Sequence, residues 1–178
     1  MSWATAAEPV RPAEGADVEA IRRIHLSAFP TALEADLVEQ LRQDGDLVIS
    51  LVAEQAGEPI GHIALSRMKV EGDGLTYRSL GLGPVGVVRS MQGSGAGSAL
   101  IKAAKAIAQA TGEELIFLLG EPEYYRRFGF TAETARPFRS PYAGPYFMAL
   151  ALQPGFAPPA MGKADYARAF GAVGEEQV

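Results

Sequence analysis

The stretch Gln92-Gly93-Ser94-Gly95-Ala96-Gly97 is the most informative part of the sequence. It follows an apolar run from Leu80 to Val88 and precedes an alanine-rich helical pattern from Ser98 to Ala110. A glycine-rich bend between a strand and a helix leaves backbone N–H groups uncovered, and the positive end of the helix dipole strengthens their attraction for anions. Glycine also lets a ligand approach the backbone closely. The stretch therefore predicts a site that holds a phosphate-bearing molecule.

Two common phosphate-binding motifs do not fit this stretch. The dinucleotide fingerprint G-x-G-x-x-G fails because Ser98 or Leu100 stands where the third glycine belongs. The acidic residue expected about 20 positions later is also missing, since Glu113 and Glu114 precede a strand. The P-loop pattern fails because alanine follows Gly162-Lys163 and the upstream glycine is absent. These failures disfavour a nucleotide-binding oxidoreductase.

A second informative segment is Glu121-Pro122-Glu123-Tyr124-Tyr125-Arg126-Arg127-Phe128-Gly129-Phe130. Proline suits the first helical position, the acidic and basic residues complement the two ends of the helix dipole, and glycine suits the position after the helix. The segment therefore predicts a two-turn helix. Tyr124 and Phe128 are four residues apart and are expected to pack on one face. Tyr125, rotated by about 100°, is expected to project at the edge of that face.

Together the two segments resemble the GNAT superfamily of N-acetyltransferases. Residues 92–97 fit Q/R-x-x-G-x-G/A, which is similar to the pyrophosphate loop of that family, and Tyr-Tyr-Arg-Arg-Phe-Gly-Phe looks like its second signature. The resemblance spans roughly Val10 to Leu152, and it is closest to a group of compact, mostly uncharacterised bacterial proteins. Arg89 and Met91 depart from the family pattern, but neither departure alters the amide donors of the loop.

The resemblance implies an N-acyltransferase that uses acetyl-CoA as co-substrate and lets an amine attack the acetyl group directly. It implies that the Val85-Gly86-Val87 strand pairs with the pantetheine arm and polarises the thioester carbonyl. It implies that Gln92, Gly93, Ser94, Gly95, Ala96, Gly97 and Ser98 take the pyrophosphate, and that Tyr125 assists departure of the coenzyme thiolate. The sequence agrees with direct attack, because it has no cysteine and no G-x-S-x-G serine elbow.

The general base that deprotonates the amine stays open at this point. His62, Glu54 and Glu34 are candidates, and a water relay is an equal alternative. An imidazole titrates near neutral pH, but a histidine between Gly61 and Ile63 in a strand is more typical of a structural residue. The missing base keeps a second function open, that of a non-catalytic acyl-CoA-binding module that senses or recruits.

Length and element order predict one domain of the α/β (α+β) class. We expect a GNAT domain over residues 1–155 and a partly irregular extension of the same domain over residues 156–178. The order of patterns predicts a mixed, mostly antiparallel sheet flanked by helices, and the resemblance implies that the sheet is splayed at the coenzyme site. The predicted helices span residues 17–29, 31–45, 98–110 and 121–128, and the predicted strands span 10–12, 47–54, 59–68, 80–88, 114–119 and 146–152, with hairpin turns at 55–58 and 72–74.

Composition limits the partners that the chain can have. A net charge of −5 disfavours nucleic acid, and two histidines without any cysteine disfavour a dedicated metal site. The start of the chain lacks a signal-peptide pattern, and no apolar run is long enough to span a membrane, so we expect a cytoplasmic protein. The expected acceptor is an amine-bearing small molecule or protein, bound by residues 28–44 and 132–145. A homodimer is the default oligomer.

Overall fold

An eight-stranded sheet forms the centre of the protein in this computed structural model, which describes residues 9–174. The strands are β1 (Val10–Pro12), β2 (Leu47–Gln55), β3 (Glu58–Gly72), β4 (Leu75–Val87), β5 (Leu115–Leu119), β6 (Phe138–Arg139), β7 (Phe147–Ala151) and β8 (Gly162–Asp165). The helices are α1 (Val18–Ala28), α2 (Leu33–Asp44), α3 (Ala96–Ala110), α4 (Pro122–Tyr125), α5 (Ala132–Ala135) and α6 (Ala169–Gly174). The signal-peptide prediction falls almost entirely on residues 1–8, which lie outside the described residues.

The sheet is mixed and mostly antiparallel. Its main path runs in the order β1-β2-β3-β4-β5-β7, while β8 pairs with both β3 and β6. Only the β4–β5 and β6–β8 pairs are parallel. The predicted fold class, a mostly antiparallel sheet flanked by helices, is confirmed. Within residues 9–174, no helix combines the length and the apolar character needed to cross a bilayer.

Helices cover both faces of the sheet. On one face α3 buries Leu100, Ile101 and Ala104 against apolar residues of β2 to β5. The helical spacing predicts Leu100, Ala104 and Ile107 on the buried face, but Ile107 is exposed and Ile101 takes its place. On the other face, Ile21 of α1 and Val38 of α2 pack on alternate residues of β2 and β3. The side chains of a strand point alternately to the two faces, so each strand contributes to both cores.

The strands β4 and β5 separate near their ends. Ser79–Gly81 pair with Leu115–Phe117, but the rest of β4 continues to Val87 without a β5 partner. Its other edge stays paired with β3, where Val87 lies opposite Gly61. A register irregularity falls between Leu82 and Val85. The sheet is therefore splayed along the end of β4, immediately before the glycine-rich stretch.

Several elements differ from the predictions. The predicted hairpin turn at residues 72–74 is present, but it joins two long strands, β3 and β4, so that the apolar run from Leu80 is only the second half of β4. The tail after Pro154, predicted to be loosely specified, contains β8, which pairs with residues 69–72 of β3. The short elements α5, β6 and α6 were not predicted either, because they are too short to show a periodic pattern. The helix predicted over residues 121–128 is α4 followed by one 3-10 turn over Arg126–Phe128.

The buried carboxylate of Glu113 pairs with two partly exposed arginines and joins β3, β4 and the start of β5. Glu113 is 1% exposed and accepts hydrogen bonds from both terminal nitrogens of Arg67 at 2.8 Å and from Arg78 at 3.1 Å. Burial alone would raise the pKa of Glu113, but the hydrogen bonds and charges of the two arginines outweigh burial and lower that pKa.

We expect Glu113→Gln to lower the free energy of unfolding by about 2 kcal/mol at neutral pH, because it removes the charge that both arginines contact. The pair's contribution is complete above the ordinary carboxyl pKa and disappears as pH falls through the lowered pKa of Glu113. Urea titrations at pH 7 and pH 3 measure this difference. A Glu113→Gln deficit that is equally large at pH 3 would contradict the explanation.

Candidate active site

The glycine-rich bend adopts a conformation that only glycine accepts readily. Gly93 and Gly95 have φ values of +82° and +94°, in the left-handed region. The helix α3 begins at Ala96, two residues earlier than predicted, and Gly95 provides no side-chain cap. A long contact of 3.4 Å joins the Ala96 amide to the Ser94 hydroxyl. The first amides of α3 therefore point out of the helix start, where the helix dipole is positive.

An open cavity of about 490 Å³ lies in front of these amides. The bend lines one side of it, and Val87 at the end of β4 lines another. The complete lining is Val87, Met91, Gln92, Gly93, Gly95, Ala96, Gly97, Ser98, Tyr124 and Arg127. The site predicted for a phosphate-bearing molecule is thus not filled by side chains.

The structure corrects the prediction that Tyr124 only packs. Tyr124 does contact Phe128, with ring centroids 5.5 Å apart, but it is 36% exposed and forms a wall of the cavity. A Cβ added to Gly97 would lie 3.6 Å from the Tyr124 hydroxyl. The guanidinium of Arg127 lies 4.4 Å from the centre of the Tyr124 ring. The sequence signal for this wall was the i, i+3 spacing of a tyrosine and an arginine on one short helix.

Tyr125 lies behind Tyr124 and is more deeply buried. The two rings meet edge to face with centroids 4.9 Å apart, and Tyr125 also contacts Phe130. Its ring lies over Gly120, where an added Cβ would come within 2.3 Å of it. Burial raises the pKa of Tyr125 to about 12. The position of Tyr125 is therefore fixed by packing, on the helix that directly follows β5, and its phenol is neutral at physiological pH.

The end of β4 presents backbone groups to the gap between β4 and β5. The Val88 amide donates to the Ile60 carbonyl of β3 at 2.8 Å. Because N–H groups alternate between the two edges of a strand, the Val87 amide points to the edge that β5 has left. Gly86 lies opposite His62 of β3. The backbone N–H groups of Val85 and Val87 thus face the open edge, whereas that of Gly86 faces β3.

The candidate bases lie in different environments. His62 and His25 are both fully buried, and burial lowers the pKa of His25 to about 4. Burial, and secondly the neighbouring His25, lower the pKa of His62 to about 3. Glu54 is paired with Arg11 at 2.6 Å, and one carboxylate oxygen of Glu34 is buried without a hydrogen-bond partner among residues 9–174. Sequence reasoning missed His25, which lies 37 residues from His62.

Comparisons with known proteins agree with this geometry. A family described as "Acetyltransferase (GNAT) domain" matches residues 9–132. The chain is 31% identical over 134 residues to the uncharacterised N-acetyltransferase YhbS of Escherichia coli K12, covering 75% of this chain and 77% of YhbS. It is 34% identical over 116 residues to the uncharacterised N-acetyltransferase YjhQ of the same organism, covering 64% of each.

Two solved structures share the fold over almost the whole chain. The crystal structure of Escherichia coli YhbS in complex with CoA has a TM-score of 0.81 and 27% identity, covering 93% of each chain. A GNAT family acetyltransferase from Brucella melitensis in complex with acetyl-CoA has a TM-score of 0.74 and 33% identity, covering 91% of this chain and 97% of its own. By sequence and by fold, this chain belongs to the GNAT superfamily of acetyltransferases.

Proposed function

We propose that this protein is an acetyl-CoA-dependent N-acyltransferase that moves an acetyl group to an amine. The observation that carries the proposal is the open helix start at Gly95–Ser98, facing a cavity of about 490 Å³ beside the splayed end of β4. A diphosphate is bound by free backbone N–H groups at the positive end of a helix dipole. The arm that carries the thioester is bound by an unpaired strand edge. Structures of two similar proteins contain CoA or acetyl-CoA, which supports the same ligand here.

The cavity also fits the coenzyme in its charge. The amides of Gly93 and of residues 95–98 would hold the pyrophosphate, whereas the Ser94 amide already donates to the Met91 carbonyl at 3.3 Å. The Gln92 side chain braces the bend by donating to the Val87 carbonyl at 3.2 Å. Arg127 adds the positive charge of the wall. Val85, Gly86 and Val87 would pair with the pantetheine arm and polarise the thioester carbonyl.

The thioester, when bound, supplies an activated acetyl group and a thiolate leaving group. Tyr125 would donate a hydrogen bond to the sulfur as negative charge develops there. A phenol with a pKa of about 12 is a much weaker acid than a thiol near 8.5, so complete proton transfer would cost about 5 kcal/mol. Stabilisation by a hydrogen bond is therefore the role that its environment favours.

We also propose that residues 156–178 extend the domain of residues 1–155, because β8 is a strand of the same sheet. The acceptor would be an amine-bearing small molecule or protein.

Thiol release from acetyl-CoA with a panel of primary amines tests the function. We expect release that depends on an amine and yields the acetylated product by mass spectrometry. The alternative is a module that binds acyl-CoA without turnover, and the low pKa values of both histidines favour it, because neither imidazole is a strong base. Saturable acetyl-CoA binding without release on any amine would support the module and reject the enzyme.

We expect Arg127→Ala to raise KM for acetyl-CoA about tenfold and to leave kcat nearly unchanged, because a half-exposed phosphate contact contributes about 1.4 kcal/mol. The matched substrate is acetyl-pantetheine, which lacks all phosphates. If Arg127 contacts phosphate, KM for acetyl-pantetheine is unchanged in the variant. An equal rise for both substrates would show that Arg127 acts only by supporting Tyr124.

A further inference from the structure

A continuous hydrogen-bonded chain of three side chains crosses the interior between α1 and the sheet. His25 Nε2 lies 2.8 Å from His62 Nδ1, and His62 Nε2 lies 2.8 Å from Ser50 Oγ. The two rings meet edge to face, with centroids 5.1 Å apart. They are the only histidines of the sequence. Each imidazole can accept a proton on one nitrogen and release a proton from the other.

At one end of this chain, a ring nitrogen of His25 has an unused hydrogen-bonding position. His25 Nδ1 is buried and has no hydrogen-bond partner among the described residues, 9–174. It faces Gly86, where an added Cβ would lie 2.9 Å from it. Gly86 is the central residue of the segment that, under the proposed function, holds the thioester. Leaving a buried hydrogen-bond acceptor without a partner costs free energy, so the Nδ1 atom of His25 requires a functional explanation.

The other end of the chain leads away from that segment. Ser50 is half-buried on β2 and lines a cavity of about 250 Å³ beneath α1 and α2. Glu14, Arg22 and Glu39 also line this cavity. Asp17, which is paired with Arg11 at 2.7 Å, is the carboxylate whose charge acts on His62. A proton that reaches Ser50 is therefore next to the polar side chains that line this cavity.

We propose that His25, His62 and Ser50 form a proton relay that removes a proton from the acceptor ammonium before it attacks the thioester. The proposal rests on the proposed function and names the base that the sequence left open. His25 would receive the proton through one water, because its side chain is fully buried. His62 and Ser50 would act through it.

The proton balance closes at each step. The ammonium N–H bond breaks as its proton passes to a water, and that water gives one of its own protons to His25 Nδ1. The proton on His25 Nε2 then moves to His62 Nδ1. The proton on His62 Nε2 then moves to Ser50 Oγ, whose own proton passes to water in the cavity. The neutral amine keeps its lone pair for the acetyl carbon. After product release, water beside Gly86 takes the proton from His25 Nδ1 while a solvent proton enters at Ser50, which restores both rings.

The burial of both histidines favours passing a proton along the chain over holding a positive charge on either ring. It disfavours an imidazolium at either histidine, so a proton is passed on rather than held. The rings remain neutral throughout, because each one gives up a proton as it receives one. The free energy of deprotonation is then set by the amine and the solvent, not by the low basicity of His25.

The relay is tested with variants whose side chains can still form hydrogen bonds but cannot pass on a proton. His25→Gln and His62→Gln are assayed with the best amine of the panel and with its analogue carrying fluorine beside the amino group, which is largely neutral at pH 7. The analogue carries a trifluoromethyl group on the carbon beside the amino group, because a single fluorine would leave the amine mostly protonated. We expect kcat/KM for the ordinary amine to fall at least tenfold at pH 7, and activity on the weakly basic analogue to be retained. The loss of kcat/KM relative to the wild-type protein should shrink about tenfold for each pH unit, because a rise in pH deprotonates the ordinary amine.

Ser50 offers a matched pair of variants. Ser50→Ala removes the hydroxyl at the end of the relay, whereas Ser50→Thr keeps a hydroxyl there and should restore activity. The ring nitrogens of the two histidines can be observed directly by NMR, and we expect Nε2–H tautomers on both rings in the resting protein. Equal losses for both amines, or Nδ1–H on His25, would overturn the relay and leave the enzyme function intact. A wild-type protein that binds acetyl-CoA but acetylates no amine would overturn both.

Discussion

Tyr125→Phe is expected to lower kcat about 100-fold while leaving the affinity for acetyl-CoA nearly unchanged. The substitution removes only the hydroxyl, and the phenylalanine ring retains the packing on Gly120 and Phe130 that positions Tyr125. The lost hydrogen bond would stabilise the thiolate only as the C–S bond breaks, so the effect falls on kcat. Steady-state kinetics together with calorimetric titration of CoA separates the two quantities.

Tyr124 is the matched control, since the two tyrosines are adjacent and their rings touch. Tyr124→Phe removes a hydroxyl from the cavity wall near Gly97, so we expect a change in KM for acetyl-CoA of a few-fold and little change in kcat. A large fall in kcat for Tyr124→Phe and none for Tyr125→Phe would transfer the role to Tyr124. Unaltered turnover in both variants would remove hydrogen bonding to sulfur from the mechanism.

Gly97→Glu is expected to weaken acetyl-CoA binding by about 100-fold or more. Gly97 lies in the first turn of α3 and lines the cavity, so a longer side chain there points toward the proposed pyrophosphate site. A carboxylate about 4 Å from a phosphate at the protein surface costs up to about 4 kcal/mol, in addition to the volume that it occupies. Isothermal titration of CoA measures the loss.

Gly97→Ala separates the charge from any damage to the helix. A Cβ at this position has no contact closer than 3.6 Å, and alanine favours helix more than glycine does. We therefore expect Gly97→Ala to keep or raise the melting temperature and to bind CoA within a few-fold of the wild-type protein. If Gly97→Glu folds normally and binds CoA as tightly as Gly97→Ala does, the phosphates do not lie at this helix start.

Local sequence signals predicted the elements that surround the site. Glycines at 93 and 95 predicted the bend because their positive φ values are costly for other residues. Pro122 marked the start of α4, and Gly129 marked the end of the 3-10 turn that follows it. The turn at residues 72–74 was recognised for the same reason. These features depend on a few neighbouring residues, and the structure contains each of them.

Features that depend on how elements meet could not be predicted. The 100° step along a helix says that Tyr124 and Tyr125 point in different directions, but not which one faces α3, because that depends on how the helix follows β5. The contact between His25 and His62 joins residues 37 apart, each in an unremarkable local pattern. The strand β8, Gly-Lys-Ala-Asp, has little β propensity and forms because residues 69–72 of β3 extend beyond β2 and present a free edge.

That pairing has a consequence for the solution behaviour of the protein. The end of β3 would otherwise present a row of unsatisfied amides and carbonyls, which is the usual template for aggregation or strand exchange between molecules. By occupying this edge with its own C-terminal segment, the chain protects itself against edge-to-edge association. A protein shortened before Gly162 would keep the whole proposed coenzyme site, yet it would lose this protection.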